Sequence, residues 1–517
     1  MRNKRGVKNM SFIDKLEETL EDISYTENGA RGFKTTGKKL LDLNFRVASL
    51  RKESEQNIGD MFFKAYQEDK KAALLWLFYV RDIRGGLGER RLFRVILSYL
   101  AHNCKELPIR ELIPLIPEYG RYDDLYILLD TKYREDVLSY IKEQFYADKK
   151  GKELNQPISL LAKWLPSVNT SSIQTKKRGR EFAAYFGMTE KQYRQTLSDL
   201  RRYLDVVERK MSAGQFGEID YSAVPSRANL IYKNAFLKHD PERRLAFLES
   251  LQKGEQKIHA QVLYPHEIVE AYRDKENRLY YSSTLKEYDE TLEQLWKALP
   301  ENIASDESAI VVADGSGSMF VPIGNGTTSA LSVANALAIY FAERCNGEFK
   351  DKYITFSRNP QLVNLEKGKN LREKLQIAYS HNEMANTNIY KVFKLILQTG
   401  IKHKMEQNEL PQNIIIISDM EFDSCAEGSN ETAFQKIEKE YESYGYHLPR
   451  LIFWNVNSRT NTIPIKENAL GVALVSGFSV NILNMVMSKK LDPYEVLLDI
   501  LKDERYQPVA EVIENIM

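Results

Sequence analysis

Between residues 309 and 319 the chain reads AIVVADGSGSM. One carboxylate, Asp314, is followed at alternate positions by two hydroxyls, Ser316 and Ser318, with glycines between them. Oxygen donors of this kind are hard ligands, suited to Mg²⁺ (or Mn²⁺) rather than to softer metals. Two further oxygens are expected beside them: Thr387, just ahead of a helix, and Asp419, after the apolar run NIIII at 413–417. A plainer alternative is that the two serines only cap the turn that follows. Acid–base or nucleophilic catalysis has little support. None of the seven histidines falls in these loops, and no second aspartate stands two positions after Asp314. The expected chemistry is therefore metal-dependent binding by a protein that is not an enzyme.

These residues need a scaffold that brings three loops to one edge. Ile310, Val311 and Val312 form a short apolar run that ends abruptly in small and acidic residues, the pattern of a buried parallel strand. Strand-like runs at 353–356, 361–365, 413–417, 451–454 and 473–476 alternate with helical stretches at 329–344, 389–397 and 431–443. That alternation predicts an α/β, doubly wound (Rossmann-like) sheet, in which ligands bind beyond the carboxyl ends of the strands. Residues 12–300 read differently. Apolar positions recur at helical spacing in 40–51, 61–81, 89–100 and 134–146, and strand-like alternation is nearly absent. Many helices with short connections predict an all-α, HEAT-like stacked array. The expected division is an N-terminal extension (1–30), a helical module (31–300), the α/β domain (301–490) and a helical tail (491–517).

Four islands interrupt the helical background. RDIRGGLGER (81–90) reads as a helix–loop–helix corner in which Gly85 and Gly86 end the first helix with positive φ; Arg84, Arg90 and Arg91 around it are candidates for phosphate contact. It lacks the Gly-Lys-Ser/Thr ending of a nucleotide-binding loop. EYGRYDDL (118–125) offers Arg121 and the pair Asp123–Asp124, which reads as a helix cap and first turn. AKWLPS (162–167) places Lys163 beside an aromatic, and the run KKRGR follows at 176–180. Lys176, Lys177, Arg178 and Arg180 are the densest candidate phosphate-binding patch, with a solvated loop as the alternative. The fourth, VPSRA (224–228), reads as a turn feeding a helix.

Net charge is only +1, but residues 1–300 carry +8 and residues 301–517 carry −7. A mildly basic front half is compatible with a nucleic-acid surface. Three widely spaced cysteines, Cys104, Cys345 and Cys425, match no metal or disulfide spacing. The longest apolar run, residues 72–80, is about half of what crosses a bilayer, and no apolar signal region follows the basic start. The expected setting is cytoplasmic, with no membrane partner.

Asp-x-Ser-x-Ser followed by Thr387 and Asp419 resembles the metal-ion-dependent adhesion site of von Willebrand factor A (vWA) domains. The resemblance implies that the two serines and the threonine contact the ion directly or through water, while the carboxylates hold it and orient waters. Ala385-Asn386 stands where many members have glycines. A helical module joined to a vWA domain resembles the Ro autoantigen and other TROVE-module proteins. The islands RDIRGGLGER, EYGRYDDL, AKWLPS, VVADGSGSM, SDMEFD and VSGFS, over roughly residues 30–515, are similar to the uncharacterised domain of unknown function 2828. The Ro resemblance implies small structured or misfolded RNA as partner, bound on a helical ring, with the vWA domain as a Mg²⁺-dependent adaptor. The alternative is a Mg²⁺-dependent protein-interaction scaffold without RNA.

Overall fold

Six strands form one sheet in the C-terminal half: β3 (Ala309–Asp314), β4 (Lys352–Phe356), β5 (Gln361–Asn364), β6 (Asn413–Ser418), β7 (Arg450–Asn455) and β8 (Val472–Ser476). The computed structural model describes residues 22–104, 109–274, 284–301, 308–324, 326–356, 359–382, 388–422, 433–464, 472–479 and 492–515. Strand order across the sheet is β5-β4-β3-β6-β7-β8, parallel throughout except for β5, which returns antiparallel along β4. β3 pairs on one side with β4 (Val311 opposite Tyr353) and on the other with β6 (Ala313 opposite Ile417). The chain therefore leaves β3 toward one edge and later returns to build outward on its other side. The topological switch point lies between β3 and β6, where open sheets of this kind leave a crevice at their carboxyl edge.

β3 and β6 are buried at every position, which explains their unbroken apolar sequence. Helix Ala330–Arg344, capped by the Ser329 hydroxyl, packs on β3, β4 and β6. Its opposite side packs on helix Pro265–Tyr272 from the N-terminal half, so residues 330–342 are buried throughout, Ser332 and Asn335 included. Alanines at 330, 334, 336, 338 and 342 allow that close double contact.

Residues 39–272 are mainly helical, as the periodicity predicts, with longer helices at Glu55–Glu68, Lys70–Arg81, Arg90–Asn103, Arg134–Glu153, Ile173–Tyr185, Glu190–Tyr203, Ser226–His239 and Pro241–Gln252. Three local expectations need correction. A hairpin of β1 (Ile23–Tyr25) and β2 (Arg31–Phe33) precedes them, its strands too short at three residues each to show alternation in sequence. The basic run 176–180 is no loop, since it lies inside helix Ile173–Tyr185. At the glycine-rich corner the helix ends at Arg81, and positive φ falls on Gly88 (69°), not on Gly85 or Gly86. Gly86 is required for a different reason: a Cβ there would sit 1.9 Å from the Tyr79 carbonyl oxygen.

The ends of the chain interlock. Helix Pro493–Leu501 packs on β8 and on helix Lys70–Arg81, and helix Gln507–Glu514 packs on Lys70–Arg81 as well. Asp82 in the corner accepts hydrogen bonds from Arg505 (2.8 Å to Oδ1), the Tyr506 hydroxyl (3.2 Å) and the Arg84 and Gly85 amides. Arg81 and Arg94 meet Asp124 at 2.7 and 2.6 Å, and Asp124 also accepts from the Arg121 amide at 3.0 Å. Asp124 is fully buried and Arg81 nearly so. Arginine charge and hydrogen bonding hold the Asp124 carboxyl below its ordinary range against the opposing effect of burial.

Two stability predictions follow from these contacts. Asp124→Ala leaves Arg81 buried without its counter-charge, so chemical denaturation should show a loss of about 3–5 kcal/mol. His266 lies between Tyr264 (ring centroids 5.5 Å) and Phe478 (5.1 Å), pushed down to about 3 by burial and by Arg51 and Arg227. Its folded value is below its unfolded one, so the unfolded chain takes up the proton first. Stability from this group is lost as pH falls below 6.5 toward 3. Unfolding midpoints from pH 7 to 4 should fall less steeply for His266→Phe than for the parent chain.

Candidate metal centre

Asp314 is the last residue of β3, and Asp419 follows the last residue of β6, so the two acids flank the switch point. Both are buried. The Asp314 carboxylate accepts from the Ser316 amide (2.9 Å to Oδ1) and from the Ser418 hydroxyl (2.7 Å to Oδ2). Ser316 and Ser318 are brought together, their hydroxyl oxygens 3.0 Å apart. Asp419 Oδ1 accepts from the Glu421 amide at 3.2 Å, while Oδ2 is buried with no hydrogen bond of its own. Arg459 Nη2 stands 3.6 Å from that atom, too far to hydrogen-bond it. Met420, between the two acids of the loop, adopts φ of 64°, a left-handed conformation uncommon for a side chain of this size.

Burial and the facing Asp419 charge push Asp314 up to about 7. Burial raises Asp419 too, opposed by the Arg459 guanidinium. Two like charges held out of water, one with an orphaned oxygen, create a demand for positive charge. Hydroxyls of Ser316 and Ser318 complete an all-oxygen donor set. These residues fit a small hard divalent cation. Among the described residues no cluster of three His, Cys, Asp or Glu side chains could hold a metal, so the hydroxyls are essential to this reading.

Thr387 lies outside the described residues. Sequence reasoning passed over Ser418 and Arg459, whose roles need the β3–β6 pairing and a distant loop to be visible. Glu421 accepts from the amides of Arg459 (2.7 Å), Thr460 (2.8 Å) and Glu27 (2.8 Å). It thereby ties the β7 loop and the N-terminal hairpin to the loop after β6. The Thr26 hydroxyl donates to the Phe422 carbonyl at 2.5 Å and adds to that tie.

Most of the candidate phosphate contacts are already engaged by other groups of the protein. Arg90 pairs with Asp123 and reaches Asp124 at 3.2 Å. Arg121 grips both Asp123 oxygens at 2.9 Å and stacks 3.9 Å over Trp164. Arg91 donates to the Leu50 and Glu53 carbonyls. Arg84 is exposed. Lys163 faces Glu208 at 3.4 Å, Arg178 donates to the Tyr126 carbonyl at 3.4 Å, and Arg180 pairs with Glu190 at 3.0 Å. Lys177 is exposed and Lys176 half-buried on their helix.

Comparison with known proteins divides the chain at Ser308. Residues 169–308 match Domain of unknown function (DUF2828). Residues 308–510 match Domain of unknown function (DUF7788). The DUF2828 match is thus narrower than the extent of roughly 30–515 expected from the islands. Uncharacterized protein L728 of Acanthamoeba polyphaga mimivirus is 29% identical over 532 residues, spanning 95% of this chain and 89% of that protein. The crystal structure of Deinococcus radiodurans RO (RSR) protein matches with a TM-score of 0.38 at 11% identity, over 86% of this chain and 94% of that one. No helix among the described residues is long and apolar enough to cross a membrane.

If the acid pair holds a cation, Mg²⁺ stabilises the folded chain by mass action, by about 2.7 kcal/mol at a hundredfold excess over its Kd. Thermal unfolding should therefore rise with millimolar Mg²⁺ in the parent chain and stay unmoved in Asp419→Asn, which keeps the shape but removes the charge.

Proposed function

We propose that this chain is a non-enzymatic binding protein whose sheet edge is a vWA-type adhesion site. Asp314, Ser316, Ser318 and Asp419, with Thr387 as the expected fifth residue, would hold Mg²⁺ or Mn²⁺. The observation that carries this reading is the pair of buried carboxylates at the switch point, Asp314 and Asp419, with Asp419 Oδ2 buried and accepting no hydrogen bond. The bound cation would supply a Lewis-acidic point of attachment for a carboxylate or phosphate oxygen of a partner. Ser418 and the Ser316 amide orient the Asp314 carboxylate, and Arg459 offsets part of the negative charge from the side. Glu421 fixes the surrounding loops so that the donors are positioned before a partner arrives. With two carboxylates, hydroxyls and no histidine among these residues, the site suits capture rather than bond cleavage.

A second reading, Ro-like binding of small structured RNA on the helical module, is supported by the +8 charge of residues 1–300 and by Lys176 and Lys177, for which no acidic partner is seen among the described residues. It is weakened by the acidic partners that Arg90, Arg121 and Arg180 already have. Affinity purification after crosslinking separates the two. Proteins released by EDTA, and lost in Asp314→Ala, are the outcome expected of the adhesion site. Abundant RNA that survives EDTA and is lost on charge reversal of Lys176, Lys177, Arg178 and Arg180 would favour the helical module instead.

A further inference from the structure

Far from the sheet edge, a cleft of about 890 Å³ opens between helices Leu161–Trp164, Glu190–Tyr203 and Val207–Ser212. Its volume is that of a small-molecule site. Five cations line it, Lys163, Arg194, Arg201, Arg202 and Arg209, against two acids, Asp199 and Glu208. Both acids are already engaged. Asp199 pairs with Lys152 and stands 3.8 Å from Arg202, and Glu208 faces Lys163 at 3.4 Å. Arg194, Arg201 and Arg209 are left with no carboxylate partner among the described residues.

Helix Glu190–Tyr203 creates this asymmetry. Tyr193, Leu197 and Leu200 face the core, which turns Arg194 and Arg201, seven positions apart, along the cleft side. Arg201 is then fixed by the turn after Trp164. Its Nε donates to the Ala162 carbonyl (2.8 Å), Nη1 to the Ser167 hydroxyl (2.8 Å) and Nη2 to the Leu165 carbonyl (2.7 Å). The turn is held from behind, because the Tyr193 hydroxyl donates to the Pro166 carbonyl at 3.1 Å and Gly179 lets the next helix pack against it. All three Arg201 acceptors are neutral, and about two of a guanidinium's five N–H groups remain for a ligand. Burial lowers the Arg201 pKa, opposed by Tyr193 and Tyr126, with no carboxylate beside it among the described residues.

We propose that this cleft binds a compact polyphosphate group, two or three linked phosphates, through Arg194, Arg201 and Arg209. Several guanidiniums lining one open cleft match clustered charge better than an extended phosphodiester chain, which spreads one charge per nucleotide. The proposal depends on neither reading of the function above. Such a group can be carried by a free nucleotide-like molecule or by the 5′ end of an RNA.

Titration calorimetry of the full chain with inorganic tripolyphosphate, at constant ionic strength and with EDTA present, tests it. Saturable 1:1 binding is expected, weakened about tenfold or more in Arg194→Gln/Arg209→Gln, at one exposed and one half-buried side chain, with thermal unfolding run on the double variant to check its fold. Arg201→Lys, which keeps the charge but not the fork, should also weaken it, with thermal unfolding run alongside to check its fold. No saturable binding by the parent chain, or equal affinity in the double variant, overturns the proposal. Displacement of the probe by a nucleoside triphosphate or by a 5′-triphosphate RNA supports it and assigns the source. Equal displacement by the same RNA with a 5′-hydroxyl end overturns it in favour of a general phosphodiester surface.

Discussion

Two carboxylates that end neighbouring parallel strands face each other out of water, and much of the C-terminal half is arranged around that repulsion. Asp314 and Asp419 cannot both carry full charge there without compensation: burial first, and then the Asp419 charge, push Asp314 well above the ordinary carboxylate range. Nearby groups supply part of the compensation: the Ser418 hydroxyl, the Ser316 amide and the Arg459 guanidinium. They leave Asp419 Oδ2 with no hydrogen bond. A buried polar atom with no hydrogen bond costs stability, and this one sits where open sheets of this kind leave a crevice.

The helical half is no detached module beside this sheet. Helix Ala330–Arg344 is shared between the sheet and helix Pro265–Tyr272, while the C-terminal helices return to Lys70–Arg81 and seal it with the Asp82–Arg505–Tyr506 contacts. The hairpin of β1 and β2 reaches the metal-side loop through Glu27 and Thr26. A partner captured at the sheet edge would thus bear on loops physically joined to the N-terminal residues and, through β8 and its neighbours, to both halves of the chain.

Much of the fold was legible because its signals are local. Apolar runs at 310–312 and 413–417 announce buried strands. What the sequence concealed depends on pairing between distant residues. Arg90 and Arg121 look like free cations in sequence, yet they are bound to Asp123, and the apparent helix-cap acid Asp124 is also the centre of an arginine cage. Gly86 reads as a turn former but is needed for contact with the Tyr79 carbonyl. Arg459 and Ser418 carry no motif at all. That Asp314, Ser316, Ser318 and Asp419 lie at one sheet edge was legible because their spacing follows from where strands end, whereas their electrostatic setting was not.

Anomalous diffraction from crystals grown with Mn²⁺ tests the central claim most directly, since it locates the ion itself. The account predicts a peak among the oxygens of Asp314, Ser316, Ser318 and Asp419, absent from crystals of Asp419→Asn. A peak only elsewhere, or an Asp419 carboxylate that stays in place with no ion beside it at saturating Mn²⁺, would contradict it.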